Sequence, residues 1–130
     1  MVRRSIYSAE TEGVRVSVRP MYLAEQSHPE RQHYVFAYFV RIENTSHRKI
    51  QLLSRQWLIH DSADEDREVI GEGVVGEQPV FVAGHVHEYH SFCILKSRSG
   101  SMEGSYRFIR MDDSLFDVAI PHFFLEAPLP

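Results

Sequence analysis

Apolar and polar residues alternate with a period of two along most of this chain, and nowhere do apolar residues recur at a convincing helical spacing. Val14, Val16 and Val18 alternate with Arg15, Ser17 and Arg19, which predicts a half-buried strand with a clean inner face. Pro20 follows, and since it cannot donate to a ladder it predicts an edge position or a bend. Residues 21–29 read as a polar loop. The strongest strand runs over 34–43, where Tyr34, Phe36, Tyr38, Val40 and Ile42 share one face. Its other face begins apolar (Val35, Ala37, Phe39) and ends charged (Arg41, Glu43). Half of that face must therefore be covered by a loop, a neighbouring sheet or a partner. Residues 44–47 read as a turn, and 49–60 predict a strand with Leu53, Arg55, Trp57 and Ile59 on one side. An acidic loop at 61–66 and a short run at 67–70 lead into a glycine-rich stretch. Residues 80–82, 85–95, 102–111 and 115–125 complete the series, with turns at 83–84, 97–100 and 112–114. Seven to eight short strands with regular turns predict an all-β fold, an antiparallel β-sandwich. The expected unit is a single domain over 1–130 with its core from about 7 to 126.

The glycine-rich stretch breaks this rhythm. Gly71, Glu72, Gly73, Val74, Val75, Gly76, Glu77, Gln78 and Pro79 make no sense as an ordinary strand or helix, and clustered glycine signals special dihedrals or close backbone approach. The glycines spell G-x-G-x-x-G, the lettering of the dinucleotide-binding fingerprint. That fingerprint needs a helix behind it to present amides to pyrophosphate. Here Pro79 and a β-like run follow instead, so the dinucleotide reading fails. Two uses remain. The stretch is a structural or partner-recognising loop, or its amides form an anion nest. The nest would hold pyrophosphate or a nucleotide, with an arginine supplied by Arg55 or Arg67. Glu72 and Glu77 would repel a phosphate unless a divalent cation bridged them to it.

Composition adjusts the picture in three places. The net charge is −4 with histidines neutral, which argues against a nucleic-acid binder. The longest apolar block, 35–40, is far too short to span a bilayer, and the basic start at Arg3 and Arg4 has no apolar run behind it, so no leader is expected. A lone Cys93, flanked by Phe92, Ile94 and Leu95, excludes an internal disulfide and reads as a buried inert thiol in a reducing, cytoplasmic setting.

Candidate chemistry is sparse. If Trp57 faces the core, strand alternation puts Arg55 there too, and a buried guanidinium calls for a carboxylate. Glu25 and Glu77 are the expected partners, so that Arg55 would pin the Glu25-Gln26 loop, the glycine loop or both against the sheet. The alternative is that Arg55 reaches solvent past the sheet's end. His85 and His87 share a face at strand spacing and form a weak pair of metal candidates, with nothing at a spacing that completes the site. The acidic loop imitates the first and last positions of a calcium loop at Asp61 and Glu72, but Ala63 and Asp66 violate the third and sixth. No nucleophile–base pair and no paired carboxylates stand out, so no enzyme and no required cofactor are expected.

Several phrases in order carry a family resemblance: residues 22–27, 36–38, 51–57, 71–79, 102–106 and 120–123. Together they resemble the ApaG family along nearly the whole chain. The resemblance implies an immunoglobulin- or fibronectin type III-like sandwich. It also implies a bacterial protein linked to cobalt and magnesium tolerance, without an established enzyme activity. In eukaryotes similar domains sit inside F-box proteins and a DNA-polymerase-delta-interacting protein, where they look like protein-recognition modules. The expected function is therefore binding of an unidentified protein partner, or of a second copy. The recognition edge would be Glu25, Gln26, Glu72, Glu77 and Gln78, with the apolar face of Val35, Ala37 and Phe39 as a further contact. A small-ligand sensor at the glycine loop is the competing expectation.

Overall fold

The structure, a computed structural model, describes residues 5–129; Arg3 and Arg4, on which the leader expectation rests, lie outside the described residues. Two antiparallel sheets stack into a sandwich. One runs in the order β1 (Tyr7–Thr11), β2 (Val14–Tyr22), β3 (Tyr34–Asn44), β7 (Val86–Leu95). The other runs β5 (Arg67–Glu72), β4 (Ile50–Asp61), β8 (Ser99–Arg110), β9 (Leu115–Glu126), and the two-residue β6 (Val80–Phe81) pairs with one end of β4. Two short 3-10 turns, Ala24–Gln26 and Pro29–Arg31, interrupt the connection from β2 to β3. The period-two reading is borne out: Val14, Val16 and Val18 from β2 and Phe36, Tyr38, Val40 and Ile42 from β3 all face the core. Pro20 lies past the end of β1, whose pairing with β2 stops at Val18, so among the described residues no strand flanks its outer side.

Four expectations change. The outer face of Val35 and Ala37 is not a free patch. Both are buried, because the segment from Leu23 onward folds along that end of β3, where Ser27 Oγ accepts from Val35 N at 2.9 Å and donates to Leu23 O at 2.8 Å. Phe39 is half-covered by the Arg19 guanidinium, 4.5 Å above its ring. In β4 the inner face is not continuous. A bulge between Leu52 and Ser54 inserts one extra residue, so Ile50 and Leu52 face the core before it and Trp57 and Ile59 after it, and Leu53 drops out of the core row. Gly71 and Glu72 are the last residues of β5 and not part of the loop. β8 begins at Ser99, inside the expected turn, and Gly100 permits this because a Cβ there would lie 2.2 Å from the His60 carbonyl oxygen.

The sandwich is closed on one side and open on the other. On the closed side β9 packs against β1 and β2, Ala119 N donates to Thr11 Oγ1 at 3.3 Å, and Tyr7 meets Phe123 with ring centroids 6.1 Å apart. On the open side the edge strands are β7 and β5, and between them lies a groove. The first residue of the acidic loop serves as a structural anchor. Asp61 is buried, and its carboxylate accepts from Lys96 N at 2.7 Å, Ser97 Oγ at 2.8 Å and Ala63 N at 3.1 Å, which ties the end of β4 to the β7–β8 turn.

Candidate functional site

The groove on the open side has a volume of about 630 Å³. Its floor comes from β4 and the inner face of β7, and its far wall from the glycine loop. The alternation of β7 sends His87, Tyr89, Ser91 and Cys93 inward and Glu88, His90, Phe92 and Ile94 outward. Tyr106, fully buried on β8, hydrogen-bonds through its hydroxyl to that of Tyr89, and Tyr38 stands across from Ser91 in the β3–β7 register. Burial pushes all three phenols above their ordinary range, so they stay neutral and act as hydrogen-bonding groups. Burial likewise pushes the Cys93 thiol up to about 11, the inert state anticipated for it.

Arg55 lies at the base of the groove, on the core face of β4 beside Tyr106 and opposite Gly71 of β5. It does pin the glycine loop, though not through a carboxylate. Its Nη1 donates to the carbonyl oxygens of Glu72 and Gly73, both at 2.9 Å. Among the described residues no carboxylate comes within ion-pair reach of it: Glu77 lies 3.9 Å from His87 Nε2 instead, and Glu25 makes no ion pair. The guanidinium lies flat on Gly71, where a Cβ would be 2.8 Å from Nη2 and 2.9 Å from Cζ. That close approach is the reason for the first glycine.

The loop itself is a tight hairpin. Val74 and Glu77 exchange N–H···O bonds of 2.8 and 3.0 Å, and the two residues between them, Val75 (φ 47°) and Gly76 (φ 78°), are both left-handed, the signature of a type I′ turn. Gly73 is left-handed too, and a Cβ on it would strike the Glu77 carbonyl oxygen at 2.1 Å. Gly73 N donates to Leu53 O at 2.8 Å, and Gln78 Nε2 reaches the same carbonyl at 2.9 Å. The bulge in β4 and the glycine loop are thus one device, in which the extra residue offers a carbonyl that the loop satisfies twice. Val74 is buried in the core, and Val75 stands 66% exposed at the tip.

Arg55, Trp57, Val74, Val75, Glu77 and His87 all come together at the groove. Glu25 and Gln26 sit in the 3-10 turn beside β3 and do not line it. His85 lies outside the groove; its ring and that of His87 both pack on Phe81, and among the described residues no three His, Cys, Asp or Glu side chains converge on a metal position. Three loop amides proposed for an anion nest, those of Gly73, Val74 and Glu77, are used in the chain's own bonds. Sequence reasoning missed Tyr38, Tyr89 and Ser91 as lining groups, although the alternation of residues 87, 89, 91 and 93 carried the signal.

No helix among the described residues is long and apolar enough to cross a membrane. Comparison with known proteins agrees with the fold. The sequence profile described as the ApaG domain matches residues 24–110. Protein ApaG of Paramagnetospirillum magneticum is 47% identical over 123 residues, covering 95% of each chain. Protein ApaG of Anaeromyxobacter dehalogenans is 46% identical over 121 residues, covering 93% of this chain and 95% of that one. A crystal structure described as the ApaA protein of Bordetella pertussis superposes with a TM-score of 0.85 at 43% identity, covering 94% of this chain and 96% of that one. With the profile matching residues 24–110 and relatives 46–47% identical over nearly its whole length, the chain belongs to the ApaG family.

Proposed function

We propose that this chain is a non-catalytic protein-recognition domain of the cytoplasm that binds its partner along the open side of the sandwich. The carrying observation is the character of that side. It joins a groove floored by Tyr38, Trp57 and Tyr89 to an exposed rim of Val75, Phe92 and Ile94, with polar Arg55, Glu77 and Glu88 set among them. Aromatic anchors in a concave surface with a few fixed polar groups are the usual makeup of a recognition site. Glu77, expected in the recognition edge, lines this groove, while Glu72 and Gln78 stand at the ends of the same loop. This reading makes any link to cobalt or magnesium tolerance an indirect one, through the partner. The competing reading, pyrophosphate on the loop amides, has less support, because three of those amides are already engaged with the chain's own carbonyls.

The test is site-specific photo-crosslinking in cells. A benzoylphenylalanine at position 75 or 92 should give discrete protein adducts, and one at exposed Met111 on the opposite turn should not. Equal labelling from all three positions, or none from 75 and 92, would end the proposal.

A further inference from the structure

The two sheets do not end together on the open side. β7 is the last strand of its sheet, whereas β5 continues the other sheet beyond β4. The register Trp57↔Val69 and Arg55↔Gly71 puts Val69 and Gly71 on the inward face of β5. Val69 is 41% exposed although its cross-strand neighbour Trp57 is buried. The position facing β5 is where a strand beside β7 would lie.

The free edge of β7 is equipped to take one. Ile94 O accepts from Arg67 Nη2 at 2.8 Å, so the main chain of Ile94 points away from β3. In an unbroken antiparallel register, alternate residues share that direction, which assigns the main-chain groups of Glu88, His90 and Phe92 to the open edge as well. Arg67 occupies the edge at Ile94, and among the described residues no strand pairs with the edge at 88–92. Unpaired strand edges are templates for an extended chain. Charge selects among such chains. Arg55 uses only Nη1 within the described residues, has no carboxylate partner there, and lines the groove over which the added strand would run.

We propose that an extended segment of a partner protein pairs with the β7 edge from Glu88 to Phe92. It completes the short sheet and turns one inward Asp or Glu side chain onto Arg55. This rests on the protein-recognition reading and specifies its mode. Its outward side chains would lie beside Phe92, which is 55% exposed, and its inward ones over Val69 and Gly71. A carboxylate suits the guanidinium because the planar fork still has free donors, and an ionised hydrogen bond is stronger than a neutral one.

The test is a selection of random ten-residue linear peptides displayed against the purified full chain. The expected binders carry a single invariant Asp or Glu within an alternating sequence. As synthetic peptides they should slow amide exchange at Glu88, His90 and Phe92, and changing the acid to its amide should weaken binding by about tenfold or more. His90→Pro removes one outward donor without touching the β3 ladder, so it should abolish binding while the melting temperature holds. Binders that leave those three amides unprotected, or that are indifferent to both changes, would overturn the strand-addition mode. So would an empty selection. If in-cell adducts still form from 75 and 92 in any of these cases, a folded partner surface is read by this face, and only the mode proposed here falls. Concentration-dependent protection of the same amides without peptide would make the occupant a second copy and overturn the assignment.

Discussion

Val75 is a β-branched residue at φ 47°, a conformation in which its Cβ crowds the following carbonyl. Its neighbours in the turn need positive φ for the hairpin twist, and Gly76 meets that need without cost. Val75→Asn should therefore raise stability by about 1 kcal/mol, because asparagine tolerates the left-handed region. Urea melts of the two proteins check this, and a destabilised Val75→Asn would show that the valine side chain packs on something at the tip. The glycines are predicted to rank in a way the motif lettering does not reveal. Gly76→Ala meets open space and bears only the dihedral cost of about 1 kcal/mol. Gly73→Ala adds a collision with the Glu77 backbone and should cost about 3 kcal/mol or more. Equal losses at the two positions would mean that the loop relaxes as a unit. The sequence marked all three glycines as special, but not that they are special for three different reasons.

Among the elements, β4 carries the most information that was not legible in advance. Its apolar letters allow either parity, since both Leu52 and Leu53 are good core residues. Only the carbonyl demand of the glycine loop, twenty residues on at Gly73 and about 66 Å away along an extended chain at about 3.3 Å per residue, decides that Leu53 is the bulged one. The acidic end of the same strand was legible as a turn, but not as a buried anchor, because the donors to Asp61 come from Lys96, Ser97 and Ala63. The burial of Asp61 acts to raise its pKa, yet these three hydrogen bonds together outweigh it and hold the carboxyl below its ordinary value. A carboxylate with a depressed folded-state pKa contributes stability above its unfolded pKa, and that contribution is lost as pH falls through the folded value. Asp61→Asn should thus cost about 2 kcal/mol at pH 7, and the gap to the parent should narrow below about pH 4. A gap that stays constant down to pH 3 would mean that Asp61 packs there as a polar shape and not as a charge.

For the whole molecule the governing feature is asymmetry between the closed and open sides, and amide exchange on the free protein reads it directly. Protection follows how often a hydrogen bond opens, so core strands of both sheets should report the global unfolding free energy while the open side reports local opening. The sharpest expectation falls on one strand. Along β7 the amides of Tyr89, Ser91 and Cys93 point to β3 and should be slow, whereas those of Glu88, His90 and Phe92 point to solvent and should exchange near the free-chain rate. Neighbouring amides on a single strand would then differ in rate by orders of magnitude, a pattern that general flexibility of the strand cannot produce. Ile94 should be slower than the other outward residues if the Arg67 contact holds that end, and Arg67→Ala should release it without altering Tyr89 or Ser91. Uniform protection along β7 would mean that its outer edge is already paired in solution. Uniform loss would mean that β7 frays as a whole, and the groove could not then serve as a preformed docking surface.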